Sequence, residues 1–245
     1  MGEGPPLVLI HGGLLNSSEW DEQVNALAKH YRVVRYDVCG YGKSAARRLP
    51  FSHVEDLHQL LRFLQVKRAI LIGGSMGGGI AIDFTLEHPE MVQALVLVGP
   101  ALGGWPYSLE FVQRGFQIML ATVAEGPEKG ADLWLNTYVI PAPDNPTARQ
   151  QFRALFIENF HGFLSPWYLA RPLNPPALQR LAEIRTSTLL LTGEHETPEN
   201  LAVLDALATK IAGAKKVIVP HSSHLPQMEK PEEFNRVVLD FLGKQ

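Results

Sequence analysis

The sequence predicts an α/β fold: a mostly parallel sheet of about six strands, helices on both faces, and a helical insert. Three observations predict it. Short apolar runs recur along the chain with little polar alternation, as strands covered on both faces do. Helix-length amphipathic segments separate them, the rhythm of a parallel sheet. One long stretch, residues 101–182, breaks that rhythm and is rich in Trp, Phe, Tyr and Pro.

The runs PLVLI (6–10), YRVVRYDV (31–38), AILIGG (69–74), ALVLVGP (94–100), STLLLTG (187–193) and KKVIVP (215–220) are the predicted strands. Amphipathic patterns at about 18–29, 52–65, 77–88, 198–211 and 231–243 are the predicted helices between them. Within 101–182, EFVQRGFQIMLATVAEG and ARQQFRALFIENF read as helices and no strand is evident. The expected division is therefore a core of residues 1–100 and 183–245, with 101–182 as a helical cap.

A chain of 245 residues, 46% hydrophobic and 19% charged, can bury one large core, or one core plus a small insert. Its net charge of -3 gives no reason to expect nucleic acid or an anionic membrane as partner. The single cysteine, Cys39, permits no internal disulfide and fits a reducing, cytoplasmic setting. MGEGPPLVLIHGG has neither the basic start of a signal peptide nor the apolar length of a membrane span.

Five of the nine residues in LIGGSMGGG (71–79) are glycine, a poor composition for either strand or helix. Gly73-Gly74-Ser75-Met76-Gly77 matches G-x-S-x-G after a predicted strand and before a predicted helix. That context is a sharp turn that strains the serine backbone and projects its hydroxyl. Residues two before and two after the serine come close together, and only very small ones fit. Gly78 and Gly79 let the helix pack tightly on the sheet. Spacing excludes both common phosphate-binding loops, G-x-G-x-x-G and G-x-x-x-x-G-K-[ST].

A serine nucleophile needs a base, and the base an orienting acid, in the chain order Ser, acid, His. After the last predicted strand, HSSHLPQMEKPEEF offers His221 and His224. His224 has loop enough to swing over the sheet; His221 abuts the strand end and is expected to make a structural hydrogen bond. After the preceding strand, GEHETPEN offers Glu194, Glu196 and Glu199, and Glu196 is favoured over Glu194 by its place on the loop. The natural oxyanion donors are the main-chain N–H groups of Gly13 and Met76, one from each loop. His11 is read as a buried structural imidazole, and Asp83 as a solvated or capping residue pointing away from the chemistry.

With LIHGG, YDVCGYGKS, GGSMGGG, TGEHETP and SSHLPQMEKPEEF in this order, the chain resembles the α/β-hydrolase fold superfamily. The likeness is to its lid-bearing branch of small esterases, lactonases and C–C bond hydrolases. It implies Ser75 as nucleophile, His224 as base, Glu196 as acid, and Gly13 and Met76 as oxyanion donors. Two departures stand out. Cys39 occupies the position of a common Arg in the D-x-R-G-x-G-x-S turn, with no base beside it to activate the thiol. The usual N-terminal hairpin is missing, which makes YRVVRYDV an exposed edge. Arg32 and Arg35 are available to charge that edge, and pairing with a second chain is the alternative.

Ser75 in place of Asp disfavours epoxide and haloalkane chemistry on this fold. No dinucleotide motif or clustered metal ligands occur, so no cofactor or metal is expected; His53, His58 and His161 are scattered. Trp105, Tyr107, Phe111, Phe116, Trp134, Tyr138, Phe160, Phe163, Trp167 and Tyr168 are available to line an apolar acyl pocket or to pack the cap. The expected activity is that of a carboxylesterase, a monomer or homodimer acting on small to medium neutral esters. A lactonase, a C–C hydrolase, a perhydrolase and a non-enzymatic ligand receptor are the alternatives.

Overall fold

The computed structural model describes residues 1–138 and 140–244, apart from the side chains of Phe163 and Trp167. Six strands, β1 (Pro6–Ile10), β2 (Arg32–Tyr36), β3 (Ala69–Gly74), β4 (Val92–Val98), β5 (Ser187–Gly193) and β6 (Lys215–Val219), form one sheet. Its order is β2-β1-β3-β4-β5-β6, and every pairing is parallel. The core helices are α1 (Asp21–Leu27), α2 (His53–Phe63) and α3 (Met76–Glu87). Between β4 and β5 come α4 (Leu109–Glu125), α5 (Pro127–Thr137), α6 (Pro146–Glu158), α7 (Phe160–Phe163) and α8 (Ala177–Arg180). Then α9 (Pro198–Lys210) follows β5, and α10 (Pro226–Glu229) and α11 (Pro231–Leu242) follow β6. No helix among the described residues is long and apolar enough to cross a membrane.

The unbroken apolar strands are explained by burial on both faces. Val8 and Ile10 of β1 join one core cluster with α2, α3 and α9, while Leu7 and Leu9 join the other, under α1 and α11. Trp20, Phe234 and Val238 fill the second cluster. A third cluster packs α4, α5 and α6 upon one another around Phe152 and Phe156. Leu15 and Leu225, from the loops after β1 and β6, and Met228 of α10 complete it and seat this helical segment over the strand ends.

Two boundaries differ from the sequence pattern for local reasons. The segment predicted from residue 18 begins as a 3-10 turn, Ser17–Trp20, because the Asn16 side chain caps it by accepting from Ser18 N. Strand β2 ends at Tyr36 because the Asp37 carboxylate starts a turn, accepting from Ser17 N at 2.9 Å and Lys43 N at 2.8 Å. Strand β2 is the sheet edge, as expected. Val33 exchanges main-chain hydrogen bonds with Met1 there, at 2.7 and 2.8 Å, and Arg35 pairs with Asp21.

Candidate active site

Ser75 lies between β3 and α3 with φ 47 and ψ -112, a region that non-glycine residues rarely enter. Its N–H donates to Val98 O at 2.8 Å, and its carbonyl accepts from Ala101 N at 2.9 Å, so the strained turn is pinned to the end of β4. The glycines follow from contact distances. A Cβ on Gly73 would sit 2.3 Å from Gly77 O, the close approach expected of the residues flanking the serine. A Cβ on Gly78 would meet Pro100 at 2.7 Å.

His224 and Glu196 are both buried, and His224 Nδ1 lies 2.5 Å from Glu196 Oε2, with the N–H donating to the carboxylate. Thr192 Oγ1, Thr197 N and Asn200 Nδ2 also donate to Glu196, at 2.9, 2.8 and 3.0 Å. Burial resists the charge on Glu196, but His224 and these donors outweigh it and bring its pKa down to about 2. Burial likewise opposes an imidazolium at His224, yet the charge and hydrogen bond of Glu196 prevail and raise its pKa. Gly99 makes room for the pair: a Cβ there would stand 2.8 Å from the imidazole.

The other two acid candidates are committed elsewhere. Glu194 accepts from the main-chain N–H of His221, and Glu199 accepts from Ser108 Oγ. His11 is buried, and its Nε2 accepts from Val38 N at 2.8 Å, which leaves Nδ1–H to donate to Gly12 O at 2.7 Å. Burial lowers its pKa to about 4, so it is neutral near pH 7. Cys39 is half-buried, and burial pushes its thiol pKa up, away from a reactive thiolate. Folding also brings His221 to the adjacent pair Glu194 and His195, so that their ligand atoms lie within 4.8 Å of one another in an exposed group.

Ser75, Met76, Gly12, Gly13 and His224 converge on a cavity of about 410 Å³ at the ends of β1 and β3. Neither Gly13 N nor Met76 N has an acceptor among the described residues. Leu14, Leu15, Ile80, Ile140 and Leu225 make most of the rest apolar. Of the aromatics expected there, Trp134 lines it; Phe152, which was not among them, does so too. Tyr138 and Phe111 pack in and against the third core, Phe116 and Tyr168 are exposed, and Trp105 and Tyr107 pack on the sheet core. The side chains of Phe163 and Trp167 lie outside the described residues. The reading of Asp83 needs correction. It is half-buried and caps nothing, since it makes no hydrogen bond among the described residues; it is one of the residues around the cavity, on the same face of α3 as Gly79 and Ile80.

The sequence of the chain decides its family at this point: the profile of the alpha/beta hydrolase family matches residues 7–237. The chain belongs to that family. It is 29% identical over 259 residues to a pimeloyl-[acyl-carrier protein] methyl ester esterase of Vibrio vulnificus, covering 99% of this chain and 96% of that one. It is 31% identical over 258 residues to a 2-hydroxy-6-oxononadienedioate/2-hydroxy-6-oxononatrienedioate hydrolase of Paraburkholderia phymatum, covering 97% and 87%. Among solved structures, the enol-lactonase of Burkholderia xenovorans superposes with a TM-score of 0.82 at 28% identity, covering 99% and 92%. As a member of this family the chain is a hydrolase.

Two carboxylates that sequence reading passed over hold the loops of the candidate site together. Glu229 Oε1 accepts from Ser223 N, Ser223 Oγ and Leu225 N, either side of His224, and its Oε2 accepts from Ala142 N of the α4–α8 segment. Glu19 is buried; Oε2 accepts from Gly12 N at 2.6 Å and Oε1 from Gln227 Nε2 at 2.7 Å. It thereby ties the Gly12-Gly13 loop to the His224 loop. No periodicity marks either residue, because each is defined by partners distant in sequence.

Burial raises the Glu19 pKa to about 7, against the pull of Gly12 N–H, Gln227 and His224. A folded pKa above the unfolded value of 4.5 means stability that is present below pH 4.5 and lost as pH rises through 7. Between pH 5 and pH 8, Glu19→Gln is expected to lose less stability than wild type, by on the order of 3 kcal/mol. Urea denaturation at the two pH values checks this; equal losses in both proteins would refute it.

Proposed function

We propose that the chain is a serine carboxylesterase acting on small to medium neutral esters, with residues 101–182 as a lid over Ser75. Ser75 Oγ attacks the ester carbonyl while His224 Nε2 takes its proton, and Glu196 holds the imidazole by Nδ1. The N–H groups of Gly13 and Met76 receive the oxyanion. His224 returns the proton to the leaving alcohol, then removes one from a water that attacks the acyl-enzyme, and Ser75 regains its proton as the carboxylic acid leaves.

The observation that carries this reading is the cavity lining. Among the described residues around it there is no Lys or Arg, and there is one carboxyl group, Asp83. A substrate with a free carboxylate, such as the dienedioates in the names of C–C hydrolase relatives, would find no cation to pair with and one acid to repel it. A neutral acyl chain meets no such penalty. The methyl ester esterase among the relatives is consistent with ester chemistry on this scaffold.

Steady-state hydrolysis of p-nitrophenyl esters from acetyl to dodecanoyl tests the reading, with fluorophosphonate labelling of Ser75 alongside. Turnover with an optimum at short or medium chains is expected. Labelling without turnover of any ester would end the esterase reading and bring lactones and receptor-type ligands forward. Glu196→Gln is expected to lower kcat by about 10³- to 10⁴-fold by releasing the imidazole to the wrong tautomer. A kcat within about tenfold of wild type would remove Glu196 from that role.

A further inference from the structure

Strands β5 and β6 end side by side, and the loops that follow them are joined through their main chains. Gly193 N donates to Ser223 O at 2.9 Å, Glu194 N to Val219 O at 3.1 Å, and His195 N to Ser222 O at 2.9 Å. A Cβ on Gly193 would stand 2.2 Å from Ser222 O, so glycine is what lets the loops meet. His221 turns the second loop at φ 51, a left-handed conformation that His, Asn and Asp enter more readily than other side chains. Its N–H donates to Glu194 Oε2 at 3.1 Å. Glu194, His195 and His221 therefore stand exposed on one fixed platform, with a ligand atom of each within 4.8 Å of the other two. Donors around a tetrahedral ion with bonds of about 2.0–2.2 Å lie roughly 3.3–3.6 Å apart, which rotation of exposed side chains reaches from that spacing. The hollow beside His195 is lined by Pro143, Asp144 and Glu196, so among the described residues no cation lines it to oppose an incoming positive charge.

We propose that Glu194, His195 and His221 bind one divalent transition-metal ion of the zinc type, outside the catalytic cavity. The donor set selects the class. Two imidazoles and one carboxylate suit Zn²⁺, whereas Mg²⁺ and Ca²⁺ take oxygen ligands. Three protein ligands leave the fourth position to water. Glu196 follows His195 directly, and His224 lies three residues beyond His221. The ion therefore ties together the two loops that supply the His224–Glu196 pair. Its role is that of a clamp on them, since none of its ligands lines the cavity that holds Ser75. The site stands whether or not the chain is an esterase.

The test is calorimetric titration of the full chain with Zn²⁺ alone, after chelator treatment and dialysis, for wild type, His195→Ala, His221→Asn and His58→Ala. Asn keeps a residue that tolerates φ 51. His58 stacks on His88 at 4.4 Å, a second pair of imidazoles, and serves as the control. Wild type is expected to take one ion per chain with a Kd on the order of 10 µM. His195→Ala and His221→Asn weaken it by about 100-fold, and His58→Ala leaves it unchanged. At about 100 times the Kd, Zn²⁺ should raise the wild-type Tm by roughly 5 °C and slow amide hydrogen exchange in residues 193–196 and 221–224. No binding by wild type up to about 1 mM overturns the site. So does unchanged affinity in both His195→Ala and His221→Asn, or loss of binding in His58→Ala alone; the ion would then be an adventitious one elsewhere on the surface. Binding with exchange unmoved in both loops overturns the clamp. Should His221→Asn fail to fold, His195→Ala and Glu194→Gln decide the matter, because Gln keeps an acceptor for His221 N and gives up the carboxylate.

Discussion

Ser75→Ala is expected to lower kcat on p-nitrophenyl esters by about 10⁴- to 10⁶-fold and to abolish fluorophosphonate labelling, while the protein stays folded. The expectation follows from the turn. Its φ of 47 is imposed by the backbone between β3 and α3, by Val98 O and by Ala101 N, none of which needs the hydroxyl. Alanine accepts the same strain as serine, so the midpoint of urea unfolding should move by less than about 1 kcal/mol. Ser75→Gly relieves the strain and should be the more stable of the two by about 1 kcal/mol. A Ser75→Ala protein with wild-type turnover would remove the nucleophile, and with it the whole acyl-enzyme scheme.

The parts of the site legible in the sequence are those whose chemistry is local. Ser75 announces itself because its strained turn forces glycine at fixed offsets, and these offsets are contiguous. His224 and Glu196 were readable because they follow predicted strands in a fixed order; the structure brings them to hydrogen-bonding distance. The six strands were legible because burial on both faces removes polar alternation, a pattern that needs no knowledge of neighbours.

Glu19, Glu229 and Asp83 were not legible, for the converse reason. Glu19 owes its place to Gly12 and Gln227, and Glu229 to Ser223, Leu225 and Ala142. In sequence each is an ordinary acidic residue near a helix end. Asp83 reads as solvated or capping because a polar residue on a helix usually is; it is half-buried and caps nothing. The α4–α8 segment settles over the end of α3 and closes a cavity around it, which the α3 sequence alone does not show.

Gly77→Ala is expected to destabilise the fold by more than about 4 kcal/mol, a loss that would leave little folded protein. By helix propensity alone the change should help by about 1 kcal/mol, since alanine replaces glycine in the first turn of α3. Space decides otherwise. The new Cβ would lie 2.2 Å from Ile10 O and 2.6 Å from His11 O, both main-chain atoms. Ile10 is fixed in the sheet between β2 and β3, so no rotamer change relieves the contact. Either α3 lifts off the sheet or β1 shifts, and each opens the buried layer that holds Ile80, Ala81 and Phe84. Gly115→Ala in α4 provides the control: its Cβ would meet only Tyr138 Oη, at 3.5 Å, an ordinary contact. There propensity should prevail, and stability should rise by about 0.5–1 kcal/mol. Urea denaturation of the two variants separates the effects. A Gly77→Ala protein with the wild-type midpoint would show that this close approach of helix to strand is not what demands glycine after the serine.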